Sequence, residues 1–436
     1  MENSREMMLR RTRSDSSLDM PVWLYKAESL PNRIIITDSE KELVDLARSY
    51  GEFTKADLVT LTDYSRTKIT NSIDSLLKKK IIIANNSTKY SGGRRSKTFS
   101  LNGGLSLLAG VDIGATSIDL CITDLSGKLL GRYDEPASVK DGPIKVLGRV
   151  CTLLENLLRE NDLNPEKMNG IGIGVPGPVD FSEGTLVSPP IMPGWDGYPI
   201  IQTVQQWFPY ANVVVDNDVN LMALGEINQG AGKGADNLIF VKIGTGIGAG
   251  IICEGKIYRG SSGCAGDIGH IDVNQPGSTC HCGHRGCLEG IAAGPAIAER
   301  ALIAAQGGKS PLLLKQYHSK GALHAEDIGD AAKEGDALAL EVIRESGQFV
   351  GKVLASLVNF YNPEMIVIGG GVSNLGNLLL SSIRQTVIHR SLPLATRDLL
   401  IVFSDIGPDA GVIGAVNLAM DYMFTLTGSS AGSNGA

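Results

Sequence analysis

Four metal-ligating side chains fall within eighteen residues, His270, Cys280, Cys282 and Cys287, in the spacing His-x9-Cys-x-Cys-x4-Cys. Gly283 and Gly286 let the backbone turn tightly enough to bring three thiolates to one point. Four soft or borderline donors converging at about 2.0–2.3 Å on one cation form a tetrahedral zinc set, so the spacing predicts structural Zn²⁺ on these residues. A disulfide is the competing reading, but three close cysteines leave an odd one and nothing in the sequence points to an oxidising compartment. Cys264 is the alternative fourth ligand. His270 is preferred, and a core histidine is disfavoured there because a Gly-rich turn is a poor place to bury one. Cys121, Cys151 and Cys253 lie in apolar segments and read as core packing.

The stretch Gly266-Asp267-Ile268-Gly269-His270, followed by Cys280-x-Cys282-Gly283-x-x-Gly286-Cys287-Leu288-Glu289, resembles the signature of the ROK family, named for repressors, open reading frames and sugar kinases. The resemblance extends over about residues 36 to 424. It implies that zinc holds a sugar-binding wall, with the histidine ligating metal through one ring nitrogen and offering the other to a sugar hydroxyl. Sugar contacts are thereby assigned to Gly177, Asn217, Asp218, Asp267, His270 and Glu289.

A chain of 436 residues suggests two or three domains. It has no run of about 18 apolar residues and no apolar segment at its N-terminus, so a membrane partner and secretion are not expected, and the expected location is cytoplasmic. The net charge of −7 is unevenly spread: the first 100 residues carry +5, leaving −12 on the remainder. Between Tyr64 and Ser100 there are nine basic residues and one acidic residue, Asp74. A basic module on an acidic body points to a polyanion at one end only.

Residues 1–35 show no sustained period and read as a flexible arm. From there to residue 102 the pattern is that of a winged helix-turn-helix. Leu43, Leu46, Ala47 and Tyr50 recur at helical spacing up to Gly51, and Thr54 with Asp57 forms a capping-box pair for a second helix. A third helix opens at Ser65 with its apolar face at Ile69, Ile73, Leu76 and Leu77, which leaves Thr67, Asn71, Asp74 and Lys78 opposite, flanked by Lys68. Short strands at Ile81–Ile83 and Thr98–Leu101 flank a wing carrying Gly92-Gly93-Arg94-Arg95. The expected DNA contacts are Arg66, Thr67, Lys68 and Asn71 on the helix, with Arg94 and Arg95 on the wing. Repressors of the ROK family resemble this wing, with a proline where this chain has Arg95.

Beyond Asn102-Gly103-Gly104, two strand–glycine-loop–strand units recur near Asp112 and near Gly244, and suggest two related lobes facing a shared phosphate site. The first lobe is expected over 105–225 plus a C-terminal helix at 411–424, and the second, with the zinc site, over 226–410. A disordered tail follows at 425–436. Gly244 to Gly250 leads into a strand instead of a helix, which removes a dinucleotide fingerprint from consideration. The resemblance implies an actin-like, ribonuclease H-like sugar-kinase fold of class α/β. In it Asp112, Gly114, Thr116, Gly244, Thr245, Gly246, Gly369 and Gly370 would hold ATP and Mg²⁺, and Asp218 would be the catalytic base for a sugar hydroxyl. Three positions depart from the pattern of the family's kinases: Ala115 in the first phosphate loop, Asp267 in place of glutamate, and Ile191 in place of a sugar-binding asparagine.

The expected function is a sugar-responsive transcriptional regulator, a repressor, that binds operator DNA and a sugar or sugar phosphate as a homodimer or dimer of dimers. The alternative is an ATP-dependent kinase of a hexose or N-acetylhexosamine with an accessory DNA-binding domain. On the first reading catalysis is not the primary role.

Overall fold

The computed structural model describes residues 34–91, 94–274 and 279–426, with the side chains of 88–95 left out. The expected arm up to residue 33, the Gly92-Gly93 wing tip, the side chains of Arg94 and Arg95 and the tail from 427 lie outside the described residues.

Strand β1 (Ile34–Ile36) leads into helix α1 (Asp38–Tyr50). Thr37 caps the helix by accepting from the Glu40 amide while Glu40 accepts from the Thr37 amide, and Gly51 at φ 71° stops it. Strand β2 (Phe53–Thr54) precedes α2 (Lys55–Leu61), with the Thr54–Asp57 capping box in place, and Ser65 caps α3 (Arg66–Lys78). Strands β3 (Ile82–Ser91) and β4 (Arg94–Leu101) form a hairpin, and β2 adds on the far side of β4. The hairpin is longer than its apolar ends suggested, because the polar stretch pairs through backbone and leaves no hydrophobic period to read. Leu43, Val44, Ala47, Leu58, Ile69, Ile73 and Leu76 meet Phe53 and Phe99 in one core. Each such burial is worth roughly 1.5–3 kcal/mol.

The body contains two sheets of one topology. In the first, β5 (Leu107–Ile113), β6 (Ser117–Asp124) and β7 (Leu129–Pro136) form an antiparallel meander. Helix α4 (Pro143–Glu160) then crosses to β8 (Met168–Val175), parallel to β5. The small hairpin β9 (Val179–Asp180) and β10 (Thr185–Leu186) and helix α5 (Ile200–Gln205) lead to β11 (Asn212–Asn217), parallel to β8, and to α6 (Asp218–Gln229). In the second sheet β12 (Leu238–Ile243), β13 (Ile247–Cys253) and β14 (Lys256–Tyr258) repeat the meander. Helices α7 (Glu289–Ala292), α8 (Gly294–Gln306), α9 (Pro311–Lys320), α10 (Ala325–Lys333) and α11 (Ala337–Tyr361) precede β15 (Met365–Gly369), parallel to β12. After α12 (Asn377–Arg390) and α13 (Pro393–Thr396), β16 (Leu400–Phe403) pairs parallel to β15. The orders β11-β8-β5-β6-β7 and β16-β15-β12-β13-β14 correspond strand for strand, with the same parallel and antiparallel pairings.

Helix α14 (Ala410–Tyr422) returns to the first sheet and packs on α6 through glycines. A methyl at Gly225 would lie 2.2 Å from the Ala410 carbonyl, and one at Gly414 would lie 1.7 Å from that of Leu221, so only glycine allows this spacing. The chain ends its described part in β17 (Phe424–Leu426), which pairs parallel with β1. Ile34 and Ile35, assigned above to the arm, and Thr425 and Leu426, assigned to the tail, are therefore strand residues. No helix among the described residues is long and apolar enough to cross a membrane.

Candidate functional site

A cleft of about 1290 Å³ lies between the two sheets at the ends of β5, β11, β12 and β15. Every residue assigned above to sugar or nucleotide lines it: Asp112, Gly114, Thr116, Gly177, Asn217, Asp218, Gly244, Thr245, Gly246, Asp267, His270, Glu289, Gly369 and Gly370. Ala115 and Ile191 line it too. The glycine hairpin after β12 is closed by the Gly244 amide donating to the Gly246 carbonyl at 2.9 Å. Glu289 Oε2 accepts from the Ile247 amide at 3.1 Å and lies 2.6 Å from where a side chain at Gly246 would begin. Gly370, at φ 84°, passes so near the Ile243 carbonyl that any Cβ would sit 2.4 Å from it.

At the end of β11, Asn217 caps α6 by accepting from the amides of Val219 and Asn220, and its Nδ2 donates to the Gly177 carbonyl at 3.0 Å. Asp218 is thus the first helical residue and not its N-cap; it lines the cleft, with Oδ1 accepting from the Val219 amide at 2.9 Å. Asp218 Oδ2 accepts from Lys242 Nζ at 2.5 Å. Asp216 is gripped by Arg259, Nη2 to Oδ2 at 2.7 Å, and its Oδ1 accepts from Asn220. Both cations come from the second lobe and both carboxylates from the first. Burial, opposed by the charge of Lys242, pushes the Asp112 carboxyl up to about 7, and its Oδ1 has no hydrogen-bond partner.

Lys242 and Arg259 were missed in the sequence. The signal for Lys242 was there: a lone charge in Leu238-Ile-Phe-Val-Lys-Ile, a strand buried on both faces, must find a partner of opposite sign. A divalent cation at Asp112, as the resemblance implies, would meet this ammonium, whose charge acts on Asp112 as well as on Asp218. The cleft does not fit that group.

On the rim, ligand atoms of His270, Cys280, Cys282 and Cys287 lie within 4.8 Å of one another. Cys280 Sγ is 3.5 Å from His270 Nδ1, and Cys282 Sγ is 3.7 Å from Cys287 Sγ. A tetrahedron with bonds of about 2.3 Å has edges of about 3.8 Å, so this donor set fits zinc. Burial pushes the Cys280 thiol up to about 12, while the His284 amide holds Cys282 down to about 6. A cation is what makes both thiolates stable together. Cys264 is exposed, hydrogen-bonded to the Ser262 carbonyl and outside the quartet. His270 turns Nδ1 to the thiols and Nε2 toward Asp267 Oδ1 at 3.7 Å.

Far from the cleft, Arg66, Thr67, Lys68 and Asn71 share the exposed face of α3, while Ile69 and Ile73 are buried behind them. Lys68 Nζ lies 3.6 Å above the Tyr64 ring.

Duplicated lobes with glycine hairpins and carboxylates converging on one cleft define an actin-like kinase-fold body. The ROK family profile matches residues 108–422, and the chain belongs to the ROK family. It is 36% identical over 306 residues to a glucokinase of Halalkalibacterium halodurans, covering 70% of this chain and 92% of that protein. It is 31% identical over 373 residues to a xylose repressor of Caldicellulosiruptor bescii, covering 84% and 91%. Among solved structures it is similar to a ROK family transcriptional regulator, a homologue of the E. coli MLC protein, with TM-score 0.76, 26% identity and coverage of 88% and 96%. It is also similar to a ROK family glucokinase from Streptomyces griseus in complex with glucose and AMPPNP, with TM-score 0.64, 31% identity and coverage of 72% and 99%.

Proposed function

We propose that the chain is a sugar-responsive transcriptional repressor of the cytoplasm that binds operator DNA through a winged helix-turn-helix at 36–102 and senses sugar in the cleft. The observation that carries this is coverage. The glucokinases match 70% and 72% of the chain, whereas the repressor and the regulator match 84% and 88%. The difference is about the size of the N-terminal unit, where the positive charge is concentrated. On this reading α3 enters the major groove with Thr67 and Asn71 toward base edges and Arg66 and Lys68 beside them, and Arg94 and Arg95 follow phosphate. Two copies, or a dimer of dimers, read paired half-sites.

In the cleft, Asn217, Asp218, Asp267 and Glu289 offer acceptors and donors to sugar hydroxyls, and Gly177 lets the backbone approach. His270, Cys280, Cys282 and Cys287 would hold Zn²⁺, which supplies structural rigidity. His270 then presents Nε2 to the ligand with its ring fixed.

The second reading, an ATP-dependent kinase of a hexose or N-acetylhexosamine, is favoured by the 36% identity to a glucokinase. There Asp218 would take the hydroxyl proton, and the loops at Gly114, Thr116, Gly244–Gly246 and Gly369–Gly370 would hold ATP. Sugar-dependent ATP consumption and sugar-induced operator release, measured with xylose and glucose on wild type and Asp218→Asn, separate the two. We expect little turnover by wild type and operator release by both proteins. Turnover of about 1 s⁻¹ or faster that Asp218→Asn abolishes would make the kinase reading primary.

A further inference from the structure

Lys242 is the only charged residue of β12, and its ammonium reaches across the cleft to Asp218 of the facing lobe at 2.5 Å. Its charge also acts on Asp112, whose carboxylate lies at the end of β5 with Oδ1 unpartnered. The side chain remains 22% exposed, so it faces the cleft and is not sealed in the core. Two carboxylates at the ends of β5 and β11, on either side of β8, beside a glycine hairpin make the kind of place where a phosphoryl-transfer site holds its divalent cation. Here that place carries a cation joined to the backbone. An ammonium neutralises one charge but cannot bind phosphate oxygens and carboxylates in octahedral geometry, and it repels a second cation.

We propose that Lys242 is a tethered cation that takes the place of a divalent metal between Asp112 and Asp218, so that the cleft binds its sugar without a divalent ion at that position. The proposal rests on the cleft being the sugar site. Because the pair joins the two lobes, a sugar hydroxyl that takes Asp218 Oδ2 from Lys242 changes an interlobe contact directly. The Arg259–Asp216 pair holds the lobes together meanwhile.

Mn²⁺, with the zinc site already loaded, is the probe, followed by electron paramagnetic resonance. Wild type should bind no Mn²⁺ in the cleft at millimolar concentration. Lys242→Gln should gain a site tighter by about tenfold or more, and Lys242→Gln/Asp112→Asn should lose it again. No gain in Lys242→Gln, or Mn²⁺ binding by wild type that Asp112→Asn removes, overturns the proposal. If Lys242→Gln does not fold, the comparison of wild type with Asp112→Asn decides alone: Asp112-dependent binding overturns the proposal, and its absence upholds it. Sugar-induced operator release is followed on wild type in the same buffers without added divalent metal. Release that persists while Mn²⁺ enters the wild-type cleft removes the assignment of Lys242 and leaves the regulator reading standing. No release with any sugar, with Mn²⁺ excluded, removes the regulator reading alone.

Discussion

Replacing Cys282 by serine removes a thiolate 3.7 Å from Cys287 and lets the loop that carries His270 lose its anchor. Zinc bound by such sites is worth about 10–16 kcal/mol in isolated peptides, so a protein with Cys282→Ser should lose zinc by elemental analysis. It should also lose the sugar-induced thermal shift, because the ring that faces Asp267 is no longer oriented. A zinc-free wild type that still shows the shift would sink this prediction. The quartet was legible in the sequence because soft donors at tight spacing have few other uses. Lys242 was as informative, yet it was passed over: a single charge within apolar residues reads as noise until the strand is known to be buried on both faces. That Asn217 and not Asp218 caps α6 depends on side-chain geometry that a sequence does not contain.

At the scale of the element, the proposed function would divide the reading of DNA between α3 and the β3–β4 hairpin. Asn71, exposed on the face opposite Ile69 and Ile73, is suited to base edges, so Asn71→Ala should relax sequence preference by about 1–3 kcal/mol at one position. Arg94→Ala/Arg95→Ala should weaken all sequences alike and reduce the salt slope by about 2. Binding to a mapped operator at several salt concentrations checks both, and unchanged slopes would remove the wing from the contact. Helices with strong local signals were legible: the Thr54–Asp57 capping box and the Ser65 cap are where the sequence puts them. Helix α9 was not, since Lys315-Gln-Tyr-His-Ser-Lys320 carries little apolar period and the helix buries only Leu313. The β1–β17 pair was also invisible, because it joins segments at opposite ends of the sequence and nothing local announces a partner so distant.

The whole molecule connects cleft and N-terminal unit through α14. Its first turn abuts Asp112, where a methyl on Gly411 would sit 2.0 Å from Oδ2. Its last turn carries Asp421, which pairs with Arg48 at 3.0 Å and Lys41 at 3.5 Å on α1. Between them Val412, Val416, Ala419 and Met420 share one core with Leu43, Val44 and Ala47. A helix this closely packed at both ends would carry a shift at the cleft to α1 as a rigid element. Burial raises the Asp421 carboxyl, but the charges of Arg48 and Lys41 outweigh it and hold the group below its ordinary value. The stabilisation it gives is therefore present above about pH 4, the unfolded value, and is lost as pH falls through the folded one. Asp45 in the same cluster is pushed up by burial, which works in the opposite direction, so comparison with Asp421→Asn isolates Asp421. That variant should expose α1 and β17 to hydrogen exchange at neutral pH by about 1 kcal/mol after solvent screening, with the difference vanishing toward acid. It should bind sugar as wild type does and release operator less. Equal sugar-induced release by the two proteins between about pH 5 and 7, where Asp421 is ionised, would exclude α14 as the link.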